Sequence, residues 1–268
     1  MSLWQAILLG MLQGATEFLP VSSSGHLVIV PHILGWSDPG LTLDTVLHAG
    51  TLVAIITYFW ADLWRLARAA WRSLRLRMLD DPDARLAWGI VVGTIPAAVI
   101  GFLLNDFFEQ LFGMPRAAAG FLLGTAFLLI ISEHFGKRIL PLTAMSWWHA
   151  LLIGLAQALA IAPGLSRSGS TIAAGLVLGY RREDATRFSF LLSVPIILGS
   201  GLYQVLKVVR DGLGDLQPLV MGAGFVAAAI TGYIAIASLL LLVRKRSLWP
   251  FAVYCIALSV LVLTGVLG

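Results

Sequence analysis

The sequence predicts an all-α integral membrane protein with six transmembrane helices and two re-entrant helical hairpins in an inverted-topology repeat. The first observation behind this is composition: of 268 residues, 59% are hydrophobic and only 12% charged, with a mean hydropathy of +0.90. Soluble globular domains do not reach these values. The second is the number and length of the apolar runs, and the third is one segment that occurs twice, at 6–26 and again at 150–170.

Taken in order, the apolar runs long enough to cross a bilayer core, about 20 residues each, cover 43–64, 86–104, 114–133, 188–209, 218–243 and 249–267. The apolar stretches flanking the repeated segments are shorter, at 3–19 and 26–36 in the first copy and 148–163 and 171–180 in the second. Each pair is split by Pro, Gly and Ser. Irregular backbone at membrane depth survives only where protein or a watery cavity surrounds it, so both segments are expected to be hairpins that meet inside the protein, with helices restarting after Ser24 and Ser168. The chain reads as one membrane domain, 1–268, with repeat halves 1–140 and 145–268. MSLWQAILLGML lacks a basic leading region and Gln13 and Glu17 follow closely, so this start is expected to be retained structure, not a cleaved signal. Cys255 stands alone and forms no intrachain disulfide.

Basic residues mark one side. Arg65, Arg68, Arg72, Arg75, Arg77 and Arg85 lie between the first two spans, and Lys137, Arg138, Arg181, Arg182, Arg187, Arg244, Lys245 and Arg246 fill three later connections. Under the positive-inside bias these connections are cytoplasmic. The net charge of +4 is then topological, and no nucleic-acid partner is implied. Acidic Asp106, Glu109, Asp211 and Asp215 fall on the opposite side, with Arg116, Lys207 and Arg210 as exceptions. Three spans per half invert the second half relative to the first, as in secondary transporters.

The two copies share Gly10/Gly154, Gln13/Gln157, Ser22/Ser166, Ser24/Ser168 and Gly25/Gly169. The first adds a carboxylate, Glu17, and an imidazole, His26; the second adds a guanidinium, Arg167. Ionisable groups inside a membrane are costly, and a functional role is the default reading. A forked donor, several hydroxyls (Ser22, Ser23, Ser24, Ser166, Ser168, Ser170, Thr171) and helix N-termini suit a phosphate. Glu17 with Gln13 offers oxygen ligands for a divalent cation, and His26 can carry a proton. A single membrane serine more often bonds a neighbouring backbone carbonyl. Asp44 and His48, four apart on one helix, are either part of the site or simply paired with each other. Glu133 and His134 are expected to be solvated at a helix end, Trp147, Trp148, Trp249 and Tyr254 to be interfacial anchors, and the arginine run 65–77 to be a solvated or lipid-facing amphipath.

QGATEFLPVSSSGHL (Gln13 to Leu27) and PGLSRSGST (Pro163 to Thr171), together with LHAGTL, FSFLLSVP and the closing RKRSLWPFAVY, resemble the undecaprenyl pyrophosphate phosphatases linked to bacitracin resistance, over essentially the whole chain. The resemblance implies hydrolysis of the C55 isoprenoid pyrophosphate at the outer, periplasmic face of the bacterial cytoplasmic (inner) membrane, recycling the lipid carrier of wall precursors. It implies a Mg2+ or Ca2+ cofactor on Gln13 and Glu17, Ser23 as nucleophile with His26 beside it, and phosphate binding by Arg167 with Ser166, Ser168 and Thr171. Ser22, Ser23, Ser24, His26 and a metal-bound water all remain open as the attacking group. Membrane lipids are the surrounding partner, and a homodimer is compatible with this class. Two rival readings exist. An inverted repeat with an anion site also suits a transporter or flippase. The histidine-nucleophile lipid phosphatases need a histidine after SR; here position 173 is Ala173 and no histidine follows Arg167.

Overall fold

In the computed structural model the described residues are 1–36, 40–104, 107–108, 111, 114–211 and 217–267. The acidic residues Asp106, Glu109 and Asp215 lie outside them, as do the side chains of Lys207 and Asp211. The described chain is helical: α1 Leu3–Phe18, α2 Ser23–Ile33, α3 Gly40–Tyr58, α4 Trp60–Leu76, α5 Pro82–Leu103, α6 Pro115–Phe135, α7 Trp147–Leu159, α8 Arg167–Val177, α9 Arg182–Asp211, α10 Pro218–Val243 and α11 Trp249–Leu263. Among the described residues the only extended pairing is one isolated parallel bridge, Leu140 to Tyr180.

Helix starts follow local chemistry. Ser2 and Gln5 close a capping box at α1, with Gln5 N–H donating to Ser2 Oγ at 3.3 Å and Ser2 N–H to Gln5 Oε1 at 2.8 Å. Prolines open α5, α6 and α10, where a missing N–H costs nothing. Among the described residues, four helices are long and apolar enough to cross a membrane: Pro82–Leu103, Pro115–Phe135, Arg182–Gln204 within α9, and Pro218–Val243. They match four of the six predicted runs. The predicted run 43–64 does not continue straight: α3 ends at Tyr58 and α4 departs at 76°. From Trp60 onward, arginines enter one face in every turn, which a spanning helix cannot tolerate in lipid. The last run, 249–267, yields only the 15 residues of α11, about 22 Å at 1.5 Å per residue. By length and composition, the described residues therefore hold four candidate spans, or five with the bent pair counted as one.

The first helix of each repeated segment packs against a long helix distant in sequence, α1 along α10 and α7 along α5. Glycines set these distances. A Cβ at Gly10 would meet Gly224 O at 2.3 Å, and one at Gly154 would meet Gly93 O at 2.2 Å. These crossings bring the backbones into van der Waals contact, the small-residue packing that holds helices together in lipid. The main core gathers Phe18, Phe59, Phe188, Phe190 and Tyr180 with aliphatics of both halves. Glu133, expected to be solvated, is instead buried. Arg182 grips it through Nε and Nη2 at 2.9 and 2.6 Å, Arg138 also pairs with it, and Leu248 N–H donates to it at 2.8 Å. A carboxylate so surrounded ties the ends of α6, α9 and α11 together, and water is not needed to solvate it. His134 is exposed as expected.

Candidate active site

Both hairpins break where a serine caps the second arm. Ser22 Oγ accepts the N–H of Gly25 at 3.2 Å, and Ser166 Oγ accepts that of Gly169 at 3.0 Å. These caps satisfy N-terminal amides that burial would otherwise strand. They also draw the next residues into the helix, so α2 begins at Ser23 and α8 at Arg167, earlier than the restart expected after Ser24 and Ser168. The backbone differs between the two. Ser22 has φ of 70°, while Ser166 has φ of −67° and the left-handed position is taken by Gly164 at 96°. A serine held in the left-handed region costs of order 1–3 kcal/mol, the kind of strain that collects at functional sites.

On α1, Gln13 and Glu17 lie one turn apart on a buried face. Glu17 is the meeting point of the two hairpins. Its Oε2 accepts from Ser23 Oγ at 2.5 Å and from Gln13 Nε2 at 3.0 Å, and its Oε1 accepts from Arg167 Nη2 at 2.8 Å. Ser23 and Arg167 are the first residues of α2 and α8, so equivalent positions of the repeat hold opposite oxygens of one carboxylate. His48 Nε2 stands 3.9 Å from Glu17, and its Nδ1 donates to Asp44 O at 2.9 Å, with the Asp44 carboxylate 3.6 Å away.

Around this cluster is a cavity of about 200 Å³. Its lining combines polar residues, among them Glu17, Ser22, Ser23, Ser24, His48, Gln157, Ser166 and Arg167, with apolar ones that include Ala97, Ile161, Leu165, Ile196 and Ile197. Several buried polar atoms here have no partner: Arg167 Nη1, Gln157 Nε2 and Oε1, and Gln13 Oε1. Native proteins rarely leave such groups unmatched, and each one needs an explanation. Gln157 carries no charge that marks it as a site residue in the sequence, although it is the repeat counterpart of Gln13. Gln13 Oε1 beside the Glu17 carboxylate offers hard oxygen ligands, the donor type that magnesium and calcium take. Among the described residues no group of three His, Cys, Asp or Glu could hold a metal by itself.

Other expected residues turn away from the cavity. Ser168 Oγ lies 3.1 Å from Ser166 Oγ and donates to Leu19 O at 3.0 Å. Thr171 donates to Arg167 O at 2.7 Å and pairs with Ser189 at 2.6 Å, while Ser170 Oγ is buried without a partner. His26 is nearly fully enclosed. Its Nδ1 donates to Ser22 O at 2.7 Å, and its Nε2 lies 2.6 Å from the hydroxyl of Tyr254, whose ring stacks on the imidazole at 5.6 Å. Because a carbonyl can only accept, Nδ1 carries the proton, and the Nε2 lone pair of the neutral ring is taken by Tyr254. The sequence predicts an interfacial anchor at Tyr254. Its ring is half exposed, but its hydroxyl serves the site.

These features define a multi-pass helical membrane protein with a buried polar centre where the two repeated segments meet. Residues 6–261 match the family model described as bacitracin resistance protein BacA. The chain is 46% identical to the undecaprenyl-diphosphatase of Rubrobacter xylanophilus, over 98% of this chain and 97% of that one. It is 44% identical to the undecaprenyl-diphosphatase of Thermomicrobium roseum, over 98% of each chain, and 42% identical to that of Pelobacter propionicus over the full length of both. The chain belongs to the bacitracin resistance protein BacA family.

Proposed function

We propose that this protein hydrolyses undecaprenyl pyrophosphate to undecaprenyl phosphate and phosphate, returning the lipid carrier to cell-wall synthesis. The observation that carries the reading is the set of unpartnered buried donors, Arg167 Nη1 and Gln157 Nε2, on a cavity lined by both polar and apolar residues. A pyrophosphate satisfies the donors, and the first isoprene units lie against Ala97, Ile196 and Ile197. Ser23 is the attacking group that the contacts favour. Its hydroxyl already donates to Glu17, so Glu17 takes the proton as Ser23 Oγ bonds to the terminal phosphorus. The bond from that phosphorus to the bridging oxygen breaks, undecaprenyl phosphate leaves, and water then releases phosphate from Ser23. Arg167 and the amides of α8 hold the phosphoryl oxygens. With both ring nitrogens engaged, His26 steadies Ser22 and the turn that aims Ser23. A magnesium or calcium ion held by Glu17 and Gln13 would neutralise phosphate charge during the transfer.

The decisive experiment is phosphate release by the detergent-purified protein from C55 pyrophosphate, with and without a chelator. Turnover without any gradient supports the phosphatase. Binding of the lipid without phosphate release would support the transporter or flippase instead.

For topology, the reading is six crossings and two hairpins, with the halves 1–140 and 145–268 inverted, in the bacterial inner membrane. The mirrored contacts support it: Gly10 on Gly224 and Gly154 on Gly93 pair repeat-equivalent residues with helices of the opposite half. The site is read as open to the outer side. α5 and α9 start among basic residues, and their cavity-lining positions, Ala97 and Ile196–Ile197, come about 20 Å further along at 1.5 Å per residue. Cysteines at Arg72 or Lys245 in a Cys255→Ser background should resist an impermeant thiol reagent in intact cells, and cysteines at Asp106 or Asp215 should label. The reverse pattern would turn the site toward the cytoplasm.

A further inference from the structure

Helix α4 has no role in the site. It leaves α3 at 76° and packs on α5 through one side only. At 100° per residue its sequence sorts into three stripes. Leu66, Ala69 and Ser73 are buried, and Ser73 Oγ accepts from Trp88 Nε1 at 2.9 Å. A second stripe, Trp60, Trp64, Trp71 and Leu74, is 63, 55, 70 and 58% exposed. The third is Arg65, Arg68, Arg72 and Arg75, all exposed.

We propose that α4 is an interfacial helix that binds anionic phospholipid headgroups, tryptophans toward the acyl chains and arginines on the phosphates. Three observations support this occupant. Large exposed aromatics beside arginines form the pattern of helices lying in the plane of a membrane surface. The arginines are incompletely neutralised. Arg65 pairs with Asp62 and Asp83, and Arg72 reaches Asp81 at 3.3 Å as a surface pair of little strength. Arg68 and Arg75 have no carboxylate partner among the described residues, Arg68 resting instead on the Trp64 ring at 5.5 Å. Finally, Arg65, Arg68, Trp71 and Arg72 line an open groove of about 510 Å³, which sets cationic forks and an indole around one space. Guanidinium forks match phosphate oxygens, and an indole at headgroup depth suits the boundary with the acyl chains. A soluble acidic partner would use the arginines but leave the tryptophan stripe in water.

The test uses the full-length protein in nanodiscs of phosphatidylcholine alone or with phosphatidylglycerol, and follows amide hydrogen exchange in the segment 64–76. Each arginine at an anionic surface contributes about a fivefold preference. Exchange there should slow at least fivefold with phosphatidylglycerol, and 0.5 M salt should remove most of the effect. The variant R68Q/R72Q/R75Q should lose the lipid dependence, and R68K/R72K/R75K should keep most of it. Turnover of a soluble short-chain prenyl pyrophosphate in detergent should stay within about twofold in both, showing that the fold is intact. Equal exchange in the two lipids, or an unchanged lipid effect in the glutamine variant, would overturn the proposal. So would equal slowing by inorganic phosphate in phosphatidylcholine discs, since free anion would then suffice.

Discussion

The two hairpins share a scaffold but differ in chemistry. Both have a serine cap bonding an amide three residues on, a second serine 3.1–3.3 Å from the first, a glutamine one turn before the break and a glycine pressed on the opposite half. At three of the positions where they differ, the first hairpin carries Glu17, Ser23 and His26 and the second Ile161, Arg167 and Ser170. Every one of the three differences bears on the carboxylate, its two flanking donors or the turn that holds them. Symmetry builds the cradle. Its breaking pairs one negative with one positive group, Glu17 and Arg167 at 2.8 Å, where a fully symmetric pair would have set two like charges.

The largest effect should come from removing the group that both hairpins hold. Glu17→Ala takes away the proton acceptor for Ser23 and leaves Arg167 buried without its counter-charge, so turnover should fall at least ~100-fold. Activity of the wild type should also vanish in EDTA and return with magnesium or calcium. A Glu17→Ala protein with more than a tenth of wild-type phosphate release would mean that the asymmetry is structural. Next, Arg167→Lys keeps the charge but loses the fork, one nitrogen of which holds Glu17 while the other is unpartnered. Losing a hydrogen bond to a charged group costs about 1.5–3 kcal/mol, roughly ten- to a hundredfold in turnover. Wild-type kinetics in this variant would reduce Arg167 to an ion-pair partner.

The shared scaffold is tested through stability. Gly10→Ala and Gly154→Ala both force a methyl group into a facing carbonyl. Each should destabilise by about 1–3 kcal/mol, the cost of overpacking, seen as a lowered Tm in detergent. Gly120→Ala and Gly222→Ala, which meet nothing within 4 Å, should be neutral. A drop at only one of the pair would break the equivalence of the two crossings.

Much of this was legible in the sequence because lipid leaves few options. Uninterrupted apolar runs identified α5, α6, α9 and α10, and the repeated serine motif located both hairpin breaks. Glu17 and Arg167 stood out because charge is rare in such a chain. What escaped depended on partners distant in sequence. Nothing local to Glu133 says that Arg182 will bury it, and nothing local to Tyr254 says that its hydroxyl will reach His26 across more than two hundred residues. Gln157 is a different case: a neutral amide in an apolar helix carries no charge signal, and its place on the cavity, with both amide atoms unpartnered, emerges only in the folded protein. The bend after Tyr58 leaves no mark in a hydropathy run, which ignores the face that the arginines occupy.

The smallest expected effect separates the two readings of His26. If the imidazole is a brace, its bonds to Ser22 O and Tyr254 hold the strained cap that aims Ser23. Tyr254→Phe then removes one hydrogen bond of about 0.5–1.5 kcal/mol. The imidazole keeps its bond to Ser22 and stays over the remaining ring, so kcat should fall only about two- to tenfold. KM should stay unchanged, because Tyr254 lines none of the cavity. If His26 were the phosphoryl acceptor, the same substitution would free the Nε2 lone pair that Tyr254 now occupies. Turnover would hold or rise, and quenching the reaction with labelled substrate would trap an acid-labile, base-stable phosphohistidine. Acid-stable label on Ser23 would instead place the bond-making on the hydroxyl that Glu17 already holds, at the position where the two hairpins differ.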